Sequence, residues 1–335
     1  MHSKCLLPIA ALALVLAGAG CNKSGKLDEP STFTPPTGPV ELKLKWPTGQ
    51  RVVQDMDMKM KTETDVPGQP QPIKQDIAMG QKYLMTVLKE TADGGHEVEM
   101  EFLSARMSME MGGKTILDYD STKKSAESDK NPVAGIFGNV VGSKIQYFLD
   151  VSNNVERIEG VDEMMNRVSA GASPAEVAPL KSIYTEGYFK QMMSSSRYLP
   201  PKPVAPGDTW PVQLEFPMGA MGTFELDYTF TFERWETHGK RNCARLEFQG
   251  TMKTKSGSAA TAPGLTMNIR NGSTSGVSWF DPELGIIIES QMNQDMTINM
   301  TIPQNPRAKS GAAAQPQHLT TQMSQAINIK LDSVK

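Results

Sequence analysis

The longest regular alternation of apolar and polar positions runs from Ile286 to Ile302. Seven of its nine even-numbered positions are apolar, whereas the odd-numbered positions from Glu289 onward are polar. Because alternate side chains of an extended chain share a face, this pattern predicts a β-strand with one apolar face. Strands of this length are typical of a curved antiparallel sheet.

Similar alternation elsewhere in the chain predicts further strands, and several of them are joined by short polar turns. In one of these ranges, 96–111, the apolar positions change from even to odd numbers, which predicts a β-bulge near Leu103. The predicted strands cover residues 42–46, 56–60, 75–90, 96–111, 142–150, 155–158, 223–232 and 319–334.

The middle of the chain has helical periodicity. Apolar residues recur with i, i+3, i+4, i+7 spacing in the range 161–168, which predicts an amphipathic helix. Ser173 followed by Pro174 is a suitable start for a second helix reaching towards Tyr198.

Short sequence patterns also recur between the two halves of the chain. Gly49 corresponds to Gly207, Met79-Gly80 to Met221-Gly222, and the segment ending in Asp150 to the segment ending in Asp281. We therefore expect an α+β, mainly β fold, in which long curved antiparallel sheets form two duplicated, half-barrel-like halves packed on central helices.

The expected organisation has five parts. Residues 1–20 are a signal peptide, 21–40 a lipidated cysteine and disordered tether, 41–159 the first antiparallel β half, 160–200 the central helical segment and 201–335 the second antiparallel β half. The tether is predicted from its proline-rich, polar composition, which supplies little apolar surface for a core.

The N-terminus has the layout of a secretory signal, with Lys4, an apolar run and then small residues before Cys21. This layout resembles that of bacterial lipoproteins, although Gly18 replaces the aliphatic residue usual at that position. The resemblance implies that Cys21 carries lipid and that the protein is anchored in the cell envelope. Asn22 after the cysteine favours the outer membrane, with the protein facing the periplasm. Loss of Cys5 with the signal would leave Cys243 as a buried hydrophobic residue.

The formal net charge of −3 at pH 7 and the lack of a Lys or Arg block argue against nucleic acid as a partner. The sequence contains 22 methionines, several in rows on the predicted apolar faces. Such rows have three interpretations. The default is packed core; the second is the wall of a concavity that holds a lipid or other hydrophobic ligand, and the third is a set of ligands for Cu(I). The residues expected to face a hydrophobic ligand are Met56, Met58, Met60, Met107, Met109, Met111, Met292, Met296 and Met300.

Two polar motifs resemble catalytic signatures. The Asp-x-Asp-x-Thr pattern starting at Asp118 resembles the nucleophile motif of haloacid dehalogenase-like phosphatases, and Ser121-x-x-Lys124 resembles that of penicillin-binding enzymes. Neither motif lies in the required βα setting or on an amphipathic helix, and the histidines are not at metal-ligand spacing. We therefore expect no enzyme, no metal site and no cofactor.

Two further motifs resemble those of an uncharacterised bacterial lipoprotein family. They are Gly142-Ser-Lys-Ile-Gln-Tyr147 before the helix at Gly160, and Pro206-Gly-Asp-Thr-Trp210 at the start of the second half. The hypotheses that follow are a membrane-anchored binding or interaction module with a hydrophobic ligand, a structural lipoprotein with a closed core and, third, a hydrolase of unknown type.

Overall fold

The computed structural model of the chain describes residues 27–123, 132–170, 185–193, 195–217, 222–256, 266–302 and 317–335, and residues 173, 177 and 181 singly. The described residues form twelve strands that belong to one sheet. The strands are β1 (Arg51–Asp65), β2 (Ile73–Glu90), β3 (His96–Met111), β4 (Lys114–Asp120), β5 (Lys144–Leu149), β6 (Val155–Glu159), β7 (Thr209–Pro217), β8 (Thr223–His238), β9 (Arg241–Thr254), β10 (Thr266–Asp281), β11 (Ile286–Ile302) and β12 (Gln317–Val334).

All described pairings in the sheet are antiparallel. The spatial order is β6-β5-β3-β2-β1-β12-β11-β10-β9-β8-β7, with β4 also pairing with β3. The first and last strands, β1 and β12, therefore meet in the middle of the sheet. The prediction of a mainly antiparallel β fold is confirmed, but the two halves form one continuous sheet instead of separate ones.

Helices are few and short in the described chain: α1 (Pro132–Val140), α2 (Val161–Val168), α3 (Glu186–Met192) and a 3₁₀ turn (Ser195–Tyr198). The prediction of α2 is confirmed, with its apolar face buried. The predicted second helix is described only in part, because most of residues 171–184 lie outside the described chain. The expected packing of the sheet on central helices is therefore supported only for the helices that the structure describes.

The helix α3 contacts both edge strands of the sheet. Lys190 donates to the carbonyl of Glu156 in β6 at 2.8 Å, and the ring of Tyr188 lies 5.8 Å from that of Phe216 in β7. Seven helical residues span only about 10 Å, so the two edges must approach one another. The sheet is therefore curved, and among the described pairings it stays open between its edge strands β6 and β7.

The two halves contain matching meanders. Strands β4 and β5 lie end to end beside β3, pairing with its residues 106–111 and 96–101. In the second half the single strand β10 occupies the corresponding place beside β9. The succession β1, β2, β3, β4/β5, β6 is thus repeated as β7, β8, β9, β10, β11, with α1 inserted between β4 and β5.

Local hydrogen bonds support the same correspondence. Gly49 donates to Val87 at 2.8 Å, and Gly207 donates to Phe232 at 2.7 Å; both glycines have positive φ, which favours glycine. Asp150 and Asp281 each accept two backbone N–H groups in the turns after β5 and β10. The proposed match of Gly80 with Gly222 is wrong, because Gly80 lies within β2 whereas Gly222 precedes β8.

The interior lies against one face of the sheet, here called the inner face, which carries Met56, Met58 and Met60. The bulge predicted near Leu103 is confirmed by the register shift opposite Lys82 and Tyr83. The predicted strand at residues 42–46 is wrong, since this segment has no ladder partner. Its alternation reflects burial, because Leu42, Leu44 and Trp46 still pack into the core.

Candidate functional site

The predicted methionine rows meet on the inner face because their strands are neighbours in the sheet. One rung runs across five strands, from Met292 through Ile327, Met58 and Met79 to Met107. Sequence reasoning placed each row on an apolar face, and the strand order brings the rows together. Residues far apart in the chain thus form one continuous thioether-rich surface.

Eight of the nine methionines are almost completely buried, and Met111 is half-buried. Their exposed fractions are 2% for Met56, 2% for Met58, 1% for Met60, 9% for Met107, 9% for Met109, 5% for Met292, 5% for Met296 and 8% for Met300. The eight belong to the main hydrophobic cluster. The expected ligand-facing residues are thus brought together within the interior.

An enclosed space lies over this face beside Tyr198, and its volume is about 10 Å³. This volume is of the order needed for one water molecule. Tyr198 is held in place by its backbone carbonyl, which accepts from Trp210 Nε1 at 3.0 Å. The lining residues are Tyr198, Tyr228, Phe230, Phe248, Ser290, Met292, Ile327 and Ile329.

Glutamine side chains contact two of the buried thioethers. Gln325 Nε2 lies 2.9 Å from Met58 Sδ, and Gln294 Nε2 lies 3.8 Å from Met292 Sδ. Thioether sulfur is only a weak acceptor. These contacts show that the inner face is apolar but not free of polar groups.

A buried group of polar side chains on the inner face was not predicted from the sequence. This group, here called the polar cluster, consists of Gln54 on β1, Tyr83 on β2 and Tyr147 on β5, each at most 2% exposed. Among the described residues, neither amide atom of Gln54 and neither tyrosine hydroxyl has a hydrogen-bond partner. The sequence did contain a signal, since Gln54 occupies an even position among the apolar Val52, Met56, Met58 and Met60.

The two tyrosines of the polar cluster are uncharged at neutral pH. Burial raises the pKa of Tyr147, and the nearby hydroxyls of Tyr188 and Tyr83 raise it further. Burial likewise raises the pKa of Tyr83, with a smaller contribution from the Asp55 carboxylate. Gln54 and Tyr83 lie directly opposite one another in the ladder.

The residues of the catalysis-like motifs have structural contacts. Asp120 ends the antiparallel strand β4, where hydrogen bonds from Thr122 lower its pKa to about 2. Ser121 Oγ accepts from the backbone N–H of Ala105 at 2.9 Å. Lys124 lies outside the described residues. Asp118 and Asp120 are therefore not at the end of a parallel strand, which the phosphatase motif requires.

Within the described chain, no group of three or more His, Cys, Asp or Glu residues could hold a metal ion. The prediction of Cys243 as a buried hydrophobic residue is confirmed; it is 0% exposed, and burial raises the pKa of its thiol. His238 stacks on Trp279 with ring centroids 4.2 Å apart and lies 3.0 Å from Glu289.

The outer face of β8–β11 carries an open polar depression with a volume of about 470 Å³. Its walls are mainly hydroxyl and amide side chains, together with Asp227 and Asp295. Asp227 accepts a hydrogen bond from Gln213 at 3.0 Å and lies 3.6 Å from Lys253. This hydrophilic surface lies on the opposite side of the sheet from the methionine rows.

The segment predicted as a tether includes residues bound to the sheet. The Glu283 carboxylate accepts hydrogen bonds from Ser31 Oγ at 2.7 Å and Thr32 Oγ1 at 2.7 Å. Arg241, 3% exposed, bridges Asp281 at 2.5 Å and Glu283 at 2.8 Å. These five residues form what we call the N-terminal clasp. It fixes the chain at the end of the sheet that carries the β8–β9 and β10–β11 turns.

The predicted signal peptide, Cys21 and the first residues of the tether lie outside the described residues. So do residues 257–265 and 303–316. No helix in the described part is long and apolar enough to cross a bilayer.

Residues 93–287 match a family of unknown function (DUF6263), so the chain belongs to that family. This confirms the expected membership of an uncharacterised family. No curated protein matches the sequence.

Several solved structures are distantly similar to the chain. A lipovitellin structure described by its lipid–protein interactions shares 9% identity and a TM-score of 0.45, covering 87% of this chain and 26% of its own. The chain thus spans about a quarter of the lipovitellin chain. DynF from the dynemicin pathway of Micromonospora chersina shares 8% identity and a TM-score of 0.19, covering 95% of both chains. A putative outer membrane lipoprotein-sorting protein domain from Vibrio parahaemolyticus shares 8% identity and a TM-score of 0.16, covering 88% of this chain and 87% of its own. At these TM-scores the likenesses carry no functional argument.

Proposed function

We propose that this protein is a non-catalytic binding module of the bacterial envelope. In this proposal, lipid on Cys21 anchors it to the outer membrane on the periplasmic side, and the inner face of the sheet accepts a hydrophobic ligand. The observation that carries the proposal is the polar cluster on the methionine-lined inner face. Its buried atoms lack partners in the described part of the chain.

Leaving a buried donor or acceptor unpaired costs about 1–3 kcal/mol, so a sheet that only needed a stable core would gain from apolar residues at these positions. A ligand that supplies hydrogen bonds removes that cost. Methionine side chains repack readily around different shapes, so the surrounding surface suits a ligand of adaptable fit. The ligand enters by displacing the Tyr198 side chain, since the space beneath it is only about 10 Å³.

A structural lipoprotein with a closed core is the second candidate function. The small enclosed space and the near-complete burial of eight methionines favour it. A hydrolase is disfavoured because Asp120 and Ser121 are engaged in local hydrogen bonds.

The deciding experiment is native mass spectrometry of the Cys21→Ser protein, purified without detergent, before and after extraction with organic solvent. A lipid-sized mass that disappears on extraction, joined by saturable uptake of the uncharged dye N-phenyl-1-naphthylamine, supports the ligand-binding function. A protein that carries no extractable mass and takes up no dye has a closed core.

The location of binding is tested with paired variants. Met58→Ala and Met109→Ala change the inner face, so we expect altered dye affinity, whereas Leu103→Ala changes an exposed side chain and serves as control. A separate screen with esterase, phosphatase and peptidase substrates tests the non-catalytic assignment. Turnover that Asp118→Asn or Ser121→Ala abolishes contradicts it.

A further inference from the structure

The polar cluster determines which chemical class of ligand the inner face can hold. Gln54 is 0% exposed and lies opposite Tyr83 on the neighbouring strand. We infer that Gln54, Tyr83 and Tyr147 receive an uncharged hydrogen-bonding group, such as a hydroxyl or amide, so that the ligand is a neutral amphiphile. This inference rests on the proposed binding function and narrows it.

The side chains of the cluster can both donate and accept hydrogen bonds. The Gln54 amide has N–H donors and a carbonyl acceptor, and each tyrosine hydroxyl has one donor and acceptor lone pairs. A ligand hydroxyl or amide has the same two capacities, so it can satisfy the cluster from either side. A hydrocarbon alone leaves all four atoms unpaired.

Charge on the inner face argues against an ionised ligand. The buried polar residues on this face are neutral within the described strands, namely Gln54, Thr62, Gln75, Thr274, Ser278, Ser290, Gln294, Thr321 and Gln325. Among the residues whose burial is described, the buried charged ones are Arg241 and Asp281 beside the turns at one end of the sheet, and Glu289 on the outer face. An ionised headgroup would therefore lose its hydration without gaining a counter-ion.

Gln54 is the member of the cluster nearest to the enclosed space under Tyr198. Ile329 lines that space and lies opposite Met56, two residues from Gln54 along β1. An apolar tail that starts at the polar cluster can therefore follow Met56 and Met58 towards Tyr198. The headgroup and the tail then meet surfaces of matching polarity.

The test compares three ligands with the same twelve-carbon chain: 1-dodecanol, dodecanoate and dodecylammonium. Each competes with bound N-phenyl-1-naphthylamine on the Cys21→Ser protein at pH 7.5. We expect 1-dodecanol to displace the dye at a concentration at least tenfold lower than either ion. Equal or better displacement by an ion overturns the neutral-ligand inference and leaves the binding function standing. If the dye itself does not bind, the proposed function fails first, and the inference fails with it.

Two variants test whether the preference for 1-dodecanol over the two ions originates in the polar cluster. Gln54→Leu should reduce the preference for 1-dodecanol at least tenfold, and thermal melting should show a protein as stable as the parent or more so, since an unpaired buried amide is removed. Gln322→Leu makes the same change at an exposed position on β12 and should leave the preference unaltered. An unchanged preference in a folded Gln54→Leu protein overturns the assignment.

Discussion

The hydroxyl of Ser31 donates a 2.7 Å hydrogen bond to the carboxylate of Glu283, which lies 252 positions later in the chain. The segment that leads from the N-terminus is therefore held at a defined end of the sheet. Arg241 completes the arrangement by bridging Glu283 and Asp281. If Cys21 is lipidated as predicted, the ten residues from it to Ser31 reach at most about 35 Å, so the clasp keeps this end of the sheet near the membrane.

Removing the Glu283 charge should weaken the clasp. Glu283→Gln leaves the buried guanidinium of Arg241 with one carboxylate and weakens the bonds from Ser31 and Thr32, so we expect a loss of about 1.5–3 kcal/mol in the free energy of unfolding. Urea denaturation measures this loss. Glu41→Gln is the matched control, because Glu41 pairs with Lys43 and both side chains are more than 60% exposed. Equal stability of the two variants would show that the clasp contributes nothing.

The contribution of Glu283 should depend on pH. Burial raises its pKa, but hydrogen bonds from Thr32 and Ser31 and the charge of Arg241 outweigh burial and bring the pKa to about 2. Because the pKa in the folded protein lies below the ordinary value near 4.5, the stabilisation is complete above about pH 5 and is lost as the pH falls towards 2. The stability difference between the parent and Glu283→Gln should narrow over that window. A difference that stays constant from pH 6 to pH 2.5 contradicts this account.

Gly276 should not tolerate a side chain. A Cβ at this position would meet the Phe248 ring and the backbone carbonyl of Gln291. We expect Gly276→Ala to lower the free energy of unfolding by about 1–3 kcal/mol through overpacking. Ser275→Ala, at the neighbouring exposed position, should change it by less than about 0.5 kcal/mol. Thermal or urea unfolding distinguishes the two variants. Comparable stabilities would contradict the close approach of Phe248 and Gln291 to Gly276.

Met58 should report how tightly the inner face is packed. Met58→Ala removes a side chain that is 2% exposed, and we expect a loss of about 2–5 kcal/mol, whereas Met58→Leu keeps the volume and should cost less than about 1.5 kcal/mol. Met111→Ala, at a half-buried position, should cost less than Met58→Ala. Chemical denaturation of the three variants gives the order. A negligible cost for Met58→Ala would mean that the inner face is loosely packed.

Cys21 should be the attachment point of the membrane anchor. Cells that express the protein with radiolabelled palmitate should label the parent and not Cys21→Ser, and the variant should leave the membrane fraction. Cys243→Ser is the control, because this thiol is buried within the folded sheet. Labelling that persists in Cys21→Ser would remove the basis for the anchored arrangement.

The strands were largely predictable because one face of each strand is buried and the other is exposed to solvent. The bounds of β3 and β11 agree with the predicted ranges 96–111 and 286–302. Helix α1 was not predicted, since it contains two glycines, which have low helix propensity, and has no charged residue. The segment 42–46 was predicted as a strand because alternation indicates one-sided burial but does not supply a partner strand.

The site was predictable only in its apolar part. Each methionine row could be placed on an inner face, but the strand order that unites Met58, Met107 and Met292 depends on the pairing of β1 with β12. The polar cluster depends instead on the pairing of β1 with β2, β2 with β3 and β3 with β5. Gln54 interrupts an apolar alternation, and a single exception in such a pattern does not reveal that Tyr83 lies opposite it.

The pairing of β1 with β12 also bears on the order in which the molecule can be completed during synthesis. Until the eighteen residues of β12 are available, both β1 and β11 are open strand edges with one apolar face. Two such edges in a newly made chain are templates for pairing with other chains. A chain that ends before Gln317 would therefore be an aggregation-prone fragment, because β12 is the strand that covers the open edges of β1 and β11.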